Sequence, residues 1–194
     1  MMRTRTVLPI LLLGIASVSG SSLATVPDSF ALDAKEVVVS VKISELAGSR
    51  DKYRASGILR HLRVVAAKAV ADAGSDLKIR DGSASAFCRM PPQDDDFEES
   101  DPRRHRIQTQ LVVESDPARP EDGIVVKVQS CRLISNGSYG KQTFGRHLTT
   151  RFVYRGSYAQ VSRLAIDCRV ARCMDKRIAG EAYGVFSALA STSG

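Results

Sequence analysis

Of the side chains whose types can move protons, His105, His147 and Glu114 are the ones that fall at or near the strand-like segments of the later half. Acid–base cleavage of a phosphodiester needs two proton-transfer groups flanking a cationic site for the phosphate. Arg146 and Arg151 stand beside His147, while His105 and Glu114 bracket one alternating segment, so a small basic hydrolase of ribonuclease type is one reading. Nothing in the spacing brings the three together, and each histidine has an ordinary surface or core role open to it. Two S-x-x-K matches, Ser49 with Lys52 and Ser138 with Lys141, are near chance and lack the helical context such a nucleophile needs. No nucleophile elbow, H-E-x-x-H, P-loop or dinucleotide fingerprint occurs, and no cofactor is expected.

The cysteines are more informative. Cys88, Cys131, Cys168 and Cys173 form an even set, which in an exported chain is first read as two disulfides. Four cysteines allow three pairings. Cys88–Cys131 with Cys168–Cys173 is preferred here, because the last two are neighbours and the first two fall on strand-like segments. Within a continuous helix, residues five apart stand about 7.5 Å apart along the axis. That is too far for a bridge, so either the helix breaks between 168 and 173 or the pairing crosses over. The two-residue spacing of zinc knuckles is missing, and no metal site is expected.

Export itself is read from residues 1–24. Arg3 and Arg5 precede an apolar run from Val7 to Val18, and Ser22 and Ala24 supply the small residues before a cut. The run is shorter than the roughly 20 residues that span a bilayer. A cleaved signal peptide is therefore expected, leaving Thr25–Gly194, and removal of the two arginines lowers the net charge from +7 to +5. That modest charge suits an anionic partner without pointing to nucleic acid. The excess of Arg over Lys, the many alanines and the single asparagine, Asn136, look like a GC-rich bacterial genome. The periplasm or the cell exterior is the expected location.

Apolar periodicity supplies the elements that would position any site. Residues 25–34 read as a mobile lead-in. Val37, Val39, Val41 and Ile43 alternate as a strand, and Ile58, Leu62, Val65 and Ala69 recur as the stripe of a helix over 53–74 ending at Gly74. Leu77 and Ile79 mark a short strand. An exposed loop follows at 91–106, acidic from Asp94 to Asp101 and then basic at Arg103, Arg104, His105 and Arg106; those three arginines are the candidate binding residues. Segments 106–115, 123–135 and 138–155 alternate as three antiparallel strands, with a bulge expected near Ser130 and a hairpin turn at Asn136-Gly137. A second helix is expected from an N-cap at Ser157, with Gly180 and Gly184 ending or kinking it, and residues 190–194 as a frayed tail. One-faced strands and one-striped helices fit a single α+β domain over 35–189, a two-layer sandwich of a mainly antiparallel sheet of 4–5 strands with two helices on one face.

EVVVSVKISEL, GILRHLRVVAAKAVADAG, LKIRDGS, and IQTQLVVES with GIVVKVQSCRLIS follow one another in an order that resembles a group of bacterial envelope accessory domains. The group includes the amino-terminal domain of the Tol-system propeller protein, and the curli-secretion and penicillin-binding-protein-activator lipoproteins. The resemblance spans most of residues 36–178. It implies a binding module without catalytic residues, so no site residue is carried over. The chain departs from the group in having no lipobox cysteine, no propeller repeats, and an acidic loop where the group has another helix. Residues and resemblance together lead to the expectation of an exported, non-catalytic accessory protein. Its partner would be an envelope or secreted protein, or an anionic polymer.

Overall fold

The computed structural model describes residues 30–31, 33–43, 51–90, 102–121, 123–138, 141–157 and 176–193. The signal segment, the acidic run 94–101 and the pair Cys168 and Cys173 lie outside those residues. Among the described residues the elements are β1 (Glu36–Ile43), α1 (Asp51–Asp72), β2 (Lys78–Asp81), β3 (Arg106–Ser115), β4 (Gly123–Ser138), β5 (Lys141–Ser157) and α2 (Lys176–Ser191). The strands form one mixed sheet in the order β2-β1-β3-β4-β5. β1 runs parallel to both neighbours, while β3, β4 and β5 make an antiparallel meander. The class is α+β.

The register places Val37 and Val39, Ile107 and Leu111, and Val126 and Val128 on one side of the sheet. They join a buried cluster with Ile58, Leu62, Ala66 and Ala69 of α1 and Ile178, Ala182, Phe186 and Leu189 of α2. Phe30 and Ala31, assigned by their sequence to the mobile lead-in, are buried in the same cluster. α1 starts at Asp51, two residues before the expected 53, and ends as its sequence predicts. Gly74 takes φ +66°, its N–H bonds to Ala71, and the Ser75 N–H reaches back to Val70, which closes the last turn.

The cap expected at Ser157 would open onto residues outside those described; Ser157 itself is the last residue of β5, opposite Gly123. Three other local expectations are corrected. Gly180 and Gly184 lie inside α2 without ending it, since packing of Ile178, Ala182, Val185 and Phe186 outweighs the roughly 1 kcal/mol a helical glycine costs. The ladder continues through Asn136 and Gly137 to Ser138 opposite Lys141, so the chain reverses beyond that pair. The register shift lies between Val126 and Lys127, where β5 carries Val153 as an extra residue, not near Ser130. Cys131 and Leu133 turn to the side opposite Val126 and Val128, and are buried because the centre of the sheet is covered on both sides. One-sided burial was the false premise.

Residues 82–90 cover part of that second side. Gln110 Nε2 donates to Ser40 Oγ (3.2 Å) and to the Ala84 carbonyl (3.3 Å), and the Cys88 N–H donates to Gln108 Oε1 (2.7 Å). Cys88 has φ +54° and is joined to Cys131, the first of the two expected bridges, with Cα atoms 5.6 Å apart. Gly82 sits against the Val38 side chain, which a Cβ at 82 would overlap. The bridge spans 43 residues of sequence. Replacing both cysteines by serine is expected to lower unfolding free energy by about 2–4 kcal/mol, read from urea midpoints, with no free Cys88 or Cys131 thiol in the mass map of the native chain.

The two helices are tied at the surface. Asp72 accepts from Lys68 Nζ (2.6 Å) and from Tyr183 Oη of α2 (2.7 Å). The Lys68 hydrogen bond, then that of Tyr183, holds the Asp72 carboxyl below its ordinary 3.8. The bond to Asp72 raises Lys68 above 10.5 and Tyr183 above 10.0. A depressed carboxyl contributes stability above its ordinary value and loses it as pH falls through the folded value. Raised Lys and Tyr values contribute below their ordinary values and lose it as pH rises through the folded ones. Tyr183→Phe is therefore expected to lower the urea midpoint at pH 7, with the difference from the parent chain shrinking as pH falls through the folded value of Asp72.

Candidate functional site

Because β2, β1 and β3 run parallel in register, Lys78, Glu36 and Arg106 lie in one row at their starting ends. Backbone bonds fix that row: Lys78 N–H donates to the Lys35 carbonyl (3.0 Å), and Lys35 N–H to the His105 carbonyl (2.8 Å). Glu36, with its side chain 16% exposed, accepts Arg106 Nε on Oε1 (2.8 Å) and lies 3.0 Å from Arg80 Nε through Oε2. One carboxylate thus aligns two guanidiniums, and Arg80 stays 65% exposed. This row borders a cleft of about 440 Å³ lined by Lys35, Glu36, Asp76, Lys78, Arg80 and His105, among others. A second depression of about 280 Å³ shares Glu36 and Arg80 and adds Arg106 and Gln108.

A third groove, about 530 Å³, shares Ser75 and Leu77 with the cleft and runs between α1 and β2. Val64, Ala67 and Ala71 line it beside Arg60, Arg63 and Ile79. The groove lies along β2, while the other two depressions extend from β2 over the starting ends of β1 and β3. Along them Lys35, Arg60, Arg63, Lys78, Arg80 and Arg106 face three carboxylates, Glu36, Asp76 and Asp81. Glu36 is held by its two arginines and Asp81 by Arg63 (3.0 Å), which leaves the edge cationic.

The residues singled out for acid–base chemistry are placed differently. His105 Nδ1 lies 3.0 Å from the Asp33 carbonyl, which can only accept, so Nδ1 carries the hydrogen. His147 lies opposite Arg132 on β5, exposed, with its ring stacked on Phe30 at 6.3 Å between centroids. Arg132 Nη1 donates to the Phe30 carbonyl (3.1 Å); burial lowers the pKa of its guanidinium, and Asp33 works against that. Both histidines therefore hold the segment 30–33 at one end of the sheet. Glu114 lies near the far end of β3, eight residues from Arg106 and about 26 Å away along the strand. There it pairs with Lys127. His105 and His147 share an end of the sheet, and Glu114 is not with them.

Arg151 is bonded to Glu181 (2.6 Å), and Arg155 Nε lies 3.2 Å from the buried Asp116 Oδ2 as an ion contact without hydrogen-bond alignment. Of the candidate binding arginines, Arg106 lines the second depression, Arg103 is half-buried on the 3₁₀ turn Pro102–His105, and nothing is described of the Arg104 side chain. Lys35, Glu36, Lys78 and Arg80 escape sequence reasoning, because only the parallel pairing of β1 with β2 and β3 brings them together. The pair Lys78 and Arg80, two apart on an edge strand, is the one local signal.

Fold and site define an α+β domain with a disulfide and a cationic strand edge. No protein-family model matches the chain, and no curated protein does. Among solved structures it is similar to a PelC point-variant dodecamer from Paraburkholderia phytofirmans, with 18% identity over 82% of this chain and 91% of that one, at a TM-score of 0.27. A second PelC dodecamer from the same organism shows 15% identity over 83% and 88%, at a TM-score of 0.26.

Glu36→Gln removes the charge that aligns Arg80 and Arg106. It is expected to cost about 1–3 kcal/mol of unfolding free energy, with part recovered in the double variant Glu36→Gln, Arg80→Gln, as read by a double-mutant cycle.

Proposed function

We propose that this chain is an exported, non-catalytic binding protein of the bacterial cell envelope that holds an anionic partner along the β2 edge. The observation that carries the proposal is the set of six cations facing three carboxylates in the connected depressions, two of those carboxylates being already paired. Clefts lined by one sign of charge concentrate ligands of the opposite sign. The Cys88–Cys131 bridge supports an oxidising compartment such as the periplasm or the cell exterior. No described helix is long and apolar enough to cross a membrane.

A ribonuclease reading has one observation in its favour, the placement of His105 and His147 at the same end of the sheet. Both rings already hold the segment 30–33, and Glu114 stands near the other end.

One experiment separates the two. Fluorescent dextran sulfate and polyglutamate are titrated into the purified, disulfide-bonded chain, and RNA cleavage is assayed in parallel. Salt-sensitive binding that weakens at least tenfold in Lys78→Glu is expected, with no cleavage of RNA. Affinity unchanged by Lys78→Glu, or binding to neither polymer, overturns the proposal. RNA cleavage lost in both His105→Ala and His147→Ala would put the ribonuclease in its place.

A further inference from the structure

We propose that the outer edge of β2 accepts an extended peptide of a partner protein in which apolar and acidic residues alternate. This rests on the proposed binding function and gives its anionic partner a chemical class.

The backbone comes first. Lys78 donates its N–H to the carbonyl of Lys35, just before β1, and Gly82 to that of Val39 in β1. In a parallel ladder that parity turns residues 78, 80 and 82 inward and leaves the N–H and C=O of Ile79 and Asp81 pointing away from the sheet. Among the described residues β2 is the last strand on its side, and none of them pairs with those four groups. Unpaired strand groups of this kind are a template for an added strand.

The side chains on either side of that edge differ in character. Ile79 turns toward α1 with Leu77, into the 530 Å³ groove. That volume is within the ordinary range for a ligand pocket. α1 carries a second apolar stripe there, Val64, Ala67 and Ala71, apart from the stripe it buries in the core, and Val64 is 52% exposed. Lys78 and Arg80 turn to the opposite side, since successive strand residues alternate. A strand laid along β2 would share its pleat, so every second side chain would enter the apolar groove. Those between would lie beside Lys78 and Arg80. Apolar residues suit the first set and Asp or Glu the second. Arg60 and Arg63 at the rim add to the same preference.

Alternation distinguishes this occupant from a polymer that is merely anionic. A sulfated or carboxylated polysaccharide would satisfy the cations, but would leave the groove and the four backbone groups unused. Four-residue edge strands also resist indiscriminate pairing, so recognition would rest on groove and charge together.

The test titrates the purified, disulfide-bonded chain with an octapeptide of alternating Val and Glu, capped at both ends. Comparators are the same peptide N-methylated on alternate amides in either phase, a block peptide of four Val and four Glu, and dextran sulfate. Expected are saturable binding of the alternating peptide, loss of at least tenfold when the pairing amides are methylated, and a similar loss in Val64→Glu. Amide exchange at Ile79 and Asp81 should slow in the complex. Equal binding of both N-methylated forms and the parent peptide, or unchanged exchange at Ile79 and Asp81, overturns strand addition. Dextran sulfate binding that is lost in Lys78→Glu but indifferent to Val64→Glu, with no binding of the alternating peptide, overturns the peptide class and leaves the anionic-partner function standing. If neither probe binds, both fall.

Discussion

Three neighbouring strands that point the same way cannot be joined by hairpins, because each connection must carry the chain back to its starting end. β2, β1 and β3 are in that position, and much of the structure answers the constraint. The first return is α1, whose stripe of Ile58, Leu62, Ala66 and Ala69 joins the main core. The second begins with residues 82–90, which pass over the other side of the sheet. A helix buries a stripe of its own, but this short segment has little apolar surface. It is held by polar contacts from Gln108 and Gln110 and by the covalent link of Cys88 to Cys131 on β4. Gly82 lets it leave β2 at the closest approach to Val38.

The same constraint makes the site. Parallel strands bring their starting ends together, so residues far apart in sequence meet in a row: Glu36, Lys78 and Arg106, with Arg80 one pleat further along. Glu36 is the hinge of that arrangement. Without its carboxylate the row would be a line of like charges, and with it two arginines are aligned while Lys78 and most of Arg80 remain outward. Being last in the sheet and short, β2 also leaves backbone groups unpaired beside this charge.

What could be read in the sequence was whatever depends on neighbours along the chain. The period-two runs at 36–43 and 106–115, the stripe of α1 and its Gly74 terminus are local, and each has its cause within a few residues. The Cys88–Cys131 pairing was reached on a premise half right, since Cys131 lies on β4 but Cys88 sits in a turn at φ +54° in place of the expected strand. The misplacements share another cause. Asn136-Gly137 favours a turn, yet cross-strand pairing with Thr143 and Gln142 extends the ladder past it. Cys131 and Leu133 seemed to demand a bulge only while one side of the sheet was taken to be wet. The cationic edge was illegible for the reason that it is a property of register. Lys35, Lys78 and Arg106 have no shared local pattern.

Phe30 illustrates what such long-range closure means for the order of assembly. Its ring rests on His147 and its carbonyl accepts from Arg132, so the seat it occupies is built by β4 and β5. Phe30 therefore has no seat until β4 and β5 have paired, its Arg132 donor lying 102 residues further along the chain. Contacts between distant parts of a chain slow folding, because a large loop must close before they are rewarded. Seating Phe30 is thus a closing step of folding, a latch that shuts only on a sheet already complete at that end.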